Sequence, residues 1–112
     1  MSSVVLLDDV AFDERGLAPA IVQDAGTGEV LMLGYVDAEA LRRALRSRTT
    51  WFWSRSRGEH WNKGATSGNV QDLVDVRIDC DGDAVLYLVN ARGPACHTGE
   101  RTCFHRALAT DT

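Results

Sequence analysis

The sequence is poor in several features that define common classes of protein. It has 112 residues but only two prolines and three cysteines, and such a small, odd number of cysteines does not form a disulfide framework. No apolar run approaches the roughly 20 residues that a membrane-spanning helix requires, and residues 1–4 lack the basic segment of a secretory signal. We therefore expect one domain with no membrane partner, located in the cytoplasm with its thiols reduced.

Lysine is scarce too, because Lys63 is the only lysine beside eleven arginines. The net charge of −4 argues against a partner that is a nucleic acid. Arg55, Arg57 and Lys63 nevertheless fall within nine residues of one another. A local basic cluster on an acidic background suits a small anionic ligand, although a solvated loop that carries arginines fits the charge pattern equally well.

The pattern of apolar residues predicts a small α+β domain, predominantly β, with one clear helix. Strands over 20–24 and 29–36 flank a Thr-Gly turn and should form a hairpin. Asp37 is the expected N-cap of a helix over 38–47. The apolar stripe of this helix would consist of Leu41, Ala44 and Leu45.

Three more strands are expected, over 49–54, 73–79 and 84–89. The period of two would place Trp51 and Trp53 on one face of the first of these strands. In the second it would place Val74, Val76 and Ile78 on a common face.

The three cysteines lie in the last third of the chain and indicate a metal site. Fifteen residues separate Cys80 from Cys96, and six separate Cys96 from Cys103, so the pattern is not that of a Cys-x-x-Cys zinc finger. Three thiolates leave the fourth position of a tetrahedral zinc open, which is typical of catalytic zinc. The alternative is that all three cysteines are buried small apolar side chains.

Carboxylates surround Cys80 in the sequence Asp-Cys-Asp-Gly-Asp over 79–83. If this segment is extended, Asp79, Asp81 and Asp83 share one face and Cys80 occupies the other. The carboxylates would then suit a hard cation such as magnesium or calcium while the thiolate binds zinc. An acidic hairpin turn without a metal is the alternative, because Asp-Gly favours turns in any case.

Several polar residues outside the cysteine and aspartate clusters are candidates for contact with substrate. Thr66 and Ser67 lie in a glycine-rich loop that can present hydroxyl and N–H groups to a phosphate. Trp61 can stack on a base, although tryptophans at strand spacing more often belong to the core. His97, which follows Cys96, is a candidate acid/base, a fourth metal ligand or an ordinary loop residue. His60 is a less specific candidate in the basic segment, where a surface position fits it equally well, and we expect His105 to have a structural role in a terminal strand.

These segments together resemble the phosphoribosyl-AMP cyclohydrolase family of histidine biosynthesis. The similarity runs in order over nearly the whole chain. Its segments are Gly16 to Asp24, Thr27 to Leu33, Trp53 to Arg57, Trp61 with Lys63-Gly64, Thr66 to Gln71, Asp79 to Ala84, Ala95 to Gly99 and Cys103-Phe104.

The resemblance implies hydrolysis of the N1–C6 bond in the adenine ring of phosphoribosyl-AMP. It also implies an intertwined homodimer with its metal sites at the subunit interface. One zinc per subunit would be held by Cys80 of one subunit with Cys96 and Cys103 of the other. Magnesium would be held by the aspartates at 79, 81 and 83.

Further roles follow from the resemblance and from the chemistry of ring opening. His97 would carry a proton. The substrate contacts would come from Arg55, Arg57, Trp61, Lys63, Thr66 and Ser67.

The chain also departs from the family pattern. Ala65 stands where the family often has a glutamate, and we expect the monofunctional form, without the pyrophosphohydrolase that is fused to many relatives.

Two other functions are alternatives to the cyclohydrolase hypothesis. A non-catalytic zinc module would use His97 as a fourth ligand and the Trp/Arg strand as its contact face. A nucleotide deaminase would need a His-x-Glu and a Pro-Cys-x-x-Cys segment, both of which the sequence lacks.

Overall fold

The computed structural model describes residues 5–110 and shows six strands, one α-helix and one short 3-10 helix in that range. In chain order they are the 3-10 helix Leu7–Asp9, β1 Ala18–Asp24, β2 Val30–Val36, α1 Ala38–Ser47, β3 Trp51–Ser54, β4 Glu59–Asn62, β5 Gln71–Ile78 and β6 Val85–Ala91. The prediction of a mostly β, α+β domain is confirmed.

Four strands form one sheet in the order β2-β1-β6-β5, and β3 with β4 forms a separate hairpin. The predicted hairpin of β1 with β2 is confirmed, since the two strands pair antiparallel. β1 also pairs with β6 in parallel, and β6 pairs with β5 antiparallel. β5, which leads into the acidic segment at 79–83, and β6, which follows that segment, are therefore neighbours in the sheet.

The core lies between the sheet, α1 and the β3–β4 hairpin. Phe52 and Tyr87 are fully buried and meet edge to face, with ring centres 5.6 Å apart. The Tyr87 hydroxyl donates a 2.9 Å hydrogen bond to the backbone carbonyl of Trp51, so its polar end is satisfied in the core. Gly34 is required here, because a Cβ atom at that position would lie 2.7 Å from the Phe52 ring.

The helix has the bounds that the sequence predicts. Asp37 caps it by accepting a 2.8 Å hydrogen bond from the backbone N–H of Ala40. Leu41 and Ala44 are buried as expected, but Leu45 is 46% exposed, and the third buried residue is Ala40. Leu45 lies roughly 90° around the helix from the centre of this narrow face, since each residue turns the helix by about 100°.

The prediction for β5 is wrong at one residue. The pairing of β5 with β6 shifts between Leu73 and Asp75, so Val74 is the extra residue of a bulge and is 45% exposed. Leu73 is buried instead, and Val76 and Ile78 pack against the core beyond the bulge. A bulge reverses the alternation of faces, which is why the three residues do not share one.

Two other expectations differ from the structure. Residues 59–62, for which the sequence predicts no strand, form β4 and pair with β3. The terminal strand expected around His105 is absent, because residues 104–109 have no regular structure. Within residues 5–110, no helix has the length and apolar character needed to cross a membrane.

Candidate active site

The acidic segment at 79–83 forms a turn rather than the extended strand assumed from the sequence. The N–H of Gly82 donates a 3.0 Å hydrogen bond to the carbonyl of Asp79, and Gly82 has a φ of 76°. This turn, and not strand alternation, brings carboxylate oxygens of Asp79, Asp81 and Asp83 within 4.8 Å of one another. All three side chains are exposed, and the cluster is open to a cation from solvent.

The three carboxylates have different environments. Hydrogen bonding and charge from Asp81, and then from Asp79, raise the pKa of the Asp83 carboxyl group. For Asp79, desolvation opposes ionisation, but the N–H of Ala84 and other donors outweigh it and lower its pKa. The Asp79 carboxylate accepts from the N–H groups of Asp83 and Ala84 at 3.0 and 3.2 Å, so the turn itself fixes one of the potential ligands.

Cys80 is exposed in the same turn and lines an open groove of about 900 Å³ with Val76 and Ile78. It does not join the other two cysteines. Over residues 5–110, the aspartates of the turn form the only group of three or more potential metal ligands. A single chain therefore does not bring the three predicted thiol ligands together.

Cys96 lies in a tight loop, residues 95–101, which orients its sulfur and is called the thiol loop below. Its N–H donates to the carbonyl of Glu100 at 3.2 Å, and its carbonyl accepts from Gly99 at 3.0 Å. The hydroxyl of Thr98 donates to Cys96 Sγ at 3.0 Å. Thr98 is the main cause that lowers the pKa of Cys96 to about 6, with smaller contributions from His105 and Cys103. The hydrogen bond from Thr98 therefore favours the thiolate form of Cys96.

Cys103 lies close enough to Cys96 for each thiol to affect the other. The Cys103 N–H donates a 2.7 Å hydrogen bond to the carbonyl of Leu31 at the start of β2. Burial, followed by the neighbouring Cys96, raises the pKa of the Cys103 thiol, while Lys63 lowers it slightly. Two thiolates side by side repel each other, and a bound cation would relieve that repulsion.

The two histidines near the thiols differ in position. His97 is exposed in the turn that follows Cys96, whereas His105 brings Nε2 to 3.9 Å from Cys96 Sγ. Sequence reasoning missed His105, since no local pattern shows that the C-terminal segment, residues 92–110, folds back toward Cys96.

The arginines at 55 and 57 lie along a groove of about 650 Å³ beside the β3–β4 hairpin. The guanidinium of Arg55 stacks on Tyr35, with its central carbon 3.8 Å from the ring centre. Arg57 is within 3.6 Å of Glu59. Arg15 lines the same groove and was not predicted, because it is isolated in the sequence from every other candidate.

The other predicted substrate residues are distributed differently. Trp61 lines the arginine groove, but Lys63 donates a 2.6 Å hydrogen bond to the carbonyl of Ala95, beside Cys96. Thr66 and Ser67 lie in an exposed turn. Lys63 thus links the hairpin to the thiol loop rather than lying with the arginines.

His60, a less specific candidate in the sequence, is part of a defined pair. Its Nε2 lies 3.0 and 2.9 Å from the two carboxylate oxygens of Asp37. The ring also contacts Trp53 edge to face, with centres 5.0 Å apart. Asp37 therefore holds both the first turn of α1 and the outer face of the hairpin.

Comparison with known proteins identifies the family. The family model described as phosphoribosyl-AMP cyclohydrolase matches residues 32–105. A "Phosphoribosyl-AMP cyclohydrolase" of Clostridium botulinum is 54% identical over 104 residues, which cover 92% of this chain and 94% of that protein. The protein of the same name from Thermobifida fusca is 64% identical over 89 residues, 80% of this chain and 77% of its own.

Longer relatives share the same region. The "Histidine biosynthesis bifunctional protein HisIE" of Thermus thermophilus is 63% identical over 102 residues, which cover 91% of this chain and 48% of that protein. The chain thus spans about half the length of this bifunctional relative. A family match over most of the sequence and high identity to proteins of similar length lead to one conclusion: the chain belongs to the phosphoribosyl-AMP cyclohydrolase family.

Proposed function

We propose that this chain opens the adenine ring of phosphoribosyl-AMP by hydrolysis of the N1–C6 bond. The product would be the phosphoribosyl-formimino-AICAR-phosphate of the third step of histidine biosynthesis, formed in the cytoplasm. The observation that carries the proposal is 54% identity to a cyclohydrolase that this chain covers over 94% of its length. The nucleotide substrate is anionic, which agrees with the arginine-lined groove.

We infer zinc at the thiols and magnesium at the carboxylates. Cys96 and Cys103 are adjacent soft donors, and the hydrogen bond from Thr98 favours the thiolate that zinc binds. The oxygens of Asp79, Asp81 and Asp83 converge within 4.8 Å, and hard oxygen donors suit magnesium. Both donor sets fit the metal that the family resemblance implies.

The third zinc ligand, Cys80, leads us to infer a homodimer. Cys80 does not group with Cys96 and Cys103 in the described chain, so the partner's Cys80 would complete the site. Apolar side chains suited to an interface are exposed in the segment that follows Cys103: Phe104 is 60% exposed and Leu108 is 94% exposed. Each dimer would then contain two zinc sites, one per subunit.

The chain's own residues divide the remaining work. When bound, zinc supplies a Lewis acid that makes water more acidic near the ring carbon. His97, exposed beside Cys96, would move a proton between that water and the ring nitrogen, a role usually worth about 10²- to 10⁴-fold in rate.

The groove residues would hold the ends of the substrate. Arg15, Arg55 and Arg57 would bind its phosphate groups, and Trp61 would pack against a ring or ribose. Lys63 would hold the thiol loop through the carbonyl of Ala95, and Thr66 and Ser67 would contribute hydroxyl groups from the neighbouring turn.

The first test is a spectrophotometric assay of ring opening with protein loaded with zinc and magnesium. The Cys103→Ser variant should lose turnover while keeping its fold, because a serine oxygen binds zinc poorly. A folded, zinc-loaded wild type without turnover would contradict the proposed reaction.

A mixing experiment tests whether the zinc site is shared. Cys80→Ser and Cys103→Ser are each expected to be inactive alone. After unfolding and reassociation together, mixed dimers contain one site with all three thiols, so about one quarter of wild-type activity should return. No recovery, with mixed dimers shown to form, would place all three ligands in one subunit.

A further inference from the structure

A histidine that sequence reasoning did not assign lies beside the thiol site. Nε2 of His105 is 3.9 Å from Cys96 Sγ, and the Thr98 hydroxyl reaches the same sulfur at 3.0 Å. Within residues 5–110, His97, which follows Cys96 directly, makes no hydrogen bond to that sulfur. The imidazole that approaches the thiol thus comes from nine residues away along the chain.

The position of His105 is set by contacts at the base of the C-terminal segment. The Thr102 hydroxyl donates to the Val30 carbonyl at 2.7 Å and accepts from the Phe104 N–H at 3.0 Å. Together with the 2.7 Å bond from the Cys103 N–H to Leu31, these contacts attach the segment to β2 just before His105. The imidazole is therefore directed by a fixed backbone, even though residues 104–109 have no regular structure.

The loop that carries Cys96, the other partner in this contact, is held as firmly. Lys63 binds the carbonyl of Ala95 at 2.6 Å, and the Ala95 N–H donates to the carbonyl of Arg101 at 3.1 Å. Ala95 is buried, with 2% of its surface exposed. The loop that presents Cys96 is thus attached to Lys63 and closed by the hydrogen bond between Ala95 and Arg101.

The chemistry of the two groups determines which of them donates the hydrogen bond. A cysteine sulfur bound to a metal has lost its proton, so an imidazole that forms a hydrogen bond with it must donate the hydrogen on Nε2. Hydrogen bonds to a charged sulfur are stronger than those between neutral groups. Donors around a metal ligand orient it and adjust how much electron density it gives to the metal.

We propose that His105 is a positioning residue of the thiolate metal site, which donates an N–H to the Cys96 sulfur and, with Thr98, sets its orientation and electron density. This inference rests on the proposed function, because it assumes the zinc site described there. A role as a direct ligand is not favoured by the geometry. In the described part of the chain, His105 and the two thiols do not form a group whose donor atoms all lie within 4.8 Å.

Cobalt(II) in place of zinc gives a readout that does not depend on turnover. His105→Phe removes the N–H donor, whereas His105→Gln keeps an N–H donor near the position of Nε2. In the phenylalanine variant the thiolate-to-cobalt charge-transfer band should move to lower energy, because the sulfur regains electron density. Its zinc affinity, measured by competition with a chromophoric chelator, should fall about 10- to 100-fold. The glutamine variant should stay near wild type in both.

His97→Phe is the matched control, since it removes the other nearby imidazole and should leave the charge-transfer band in place. Far-UV circular dichroism and the urea midpoint confirm that each variant is folded. A band and an affinity unchanged in His105→Phe would overturn the proposal. So would a change in the cobalt d–d bands that indicates loss of a nitrogen ligand. A wild type without any thiolate–cobalt band would overturn the proposed metal site itself, which separates the two failures.

Discussion

The sheet and helix differ sharply from the C-terminal segment, residues 92–110, in how they are held. Phe52 and Tyr87 in the core have no exposed surface. In the C-terminal segment only Ala95 is buried, whereas Phe104 is 60% exposed and Leu108 is 94% exposed. One region is stabilised by apolar packing, and the other by a small number of hydrogen bonds to β2 and to Lys63.

The residues proposed to carry the chemistry lie mainly in the less packed region. Cys96, His97, Cys103 and His105 all belong to the C-terminal segment, and the exposed turn at 79–83 carries the remaining proposed ligands. A segment without a core of its own gains most from a metal or a second subunit, because either one binds the folded form selectively. The fold thus separates the residues that give stability from those that are proposed to give activity.

The largest difference between the two regions should appear on truncating one apolar side chain in each. Phe52→Ala removes a fully buried ring that contacts Tyr87 and Trp61, so the free energy of unfolding should fall by about 3–5 kcal/mol. Leu108→Ala, at a 94% exposed side chain, should change it by less than about 0.5 kcal/mol. Urea unfolding of monomeric protein at low concentration measures both. Equal losses would show that the C-terminal segment is packed more firmly than its exposure indicates.

This contrast also explains what the sequence could predict. The helix at 38–47 was predicted with its correct bounds because its signal is local: Asp37 caps it, and apolar residues recur at helical spacing. The β1–β2 hairpin has a similarly local signal in its Thr-Gly turn. The bulge at Val74 depends on its pairing with β6, which no short pattern encodes. The strand β4 pairs with β3 across the short turn 55–58, but residues 59–62 lack the run of apolar residues that marks a strand.

The site shows the same division. The aspartates at 79, 81 and 83 were chosen correctly as a group that converges, but for the wrong geometric reason, because a turn and not an extended strand gathers them. The contact of His105 with Cys96 follows from the path of the C-terminal segment across β2, which is tertiary information. The assignment of each ligand to zinc or magnesium stays a prediction.

Zinc should reduce the difference between the two regions. At a free concentration of about 100 times its dissociation constant, it should raise the free energy of unfolding by about 2.7 kcal/mol. Hydrogen exchange by mass spectrometry should show the largest gain in protection over residues 94–105, since that segment carries Cys96 and Cys103. Cys96→Ser should abolish both effects. Protection spread evenly over β1 and β6 would indicate that the metal binds elsewhere.

Asp37 tests a single polar contact within the packed region. Its carboxylate caps α1 at Ala40 and holds His60 at 2.9 Å, so Asp37→Ala should lower the free energy of unfolding by about 1 kcal/mol, within a range of about 0.5–2. Asp37→Asn is the matched control, because asparagine caps helices about as well as aspartate. An asparagine variant as unstable as the alanine variant would show that the charge toward His60 matters more than the cap.

The smallest effect is expected where the two regions meet, and it depends on pH. The N–H of Thr27 and then that of Gly26 lower the pKa of Asp24, and Arg101 of the C-terminal segment lies 3.9 Å from its carboxylate. A carboxyl group whose pKa is lower when folded stabilises the protein above its unfolded pKa of about 3.9, and this contribution is lost as the pH falls through the folded pKa.

Asp24→Asn should therefore cost less than about 1 kcal/mol at neutral pH, because the contact with Arg101 is long, at 3.9 Å, and the arginine is 60% exposed. The difference from wild type should vanish in acid. Urea midpoints measured from about pH 7 to about pH 2 test this, with the exposed Asp8→Asn as a control for loss of charge alone. A difference that persists unchanged in acid would mean that the Asp24 side chain acts through the shape of the turn. The electrostatic link between the core and the C-terminal segment would then rest on the other contact of Arg101, with Glu29.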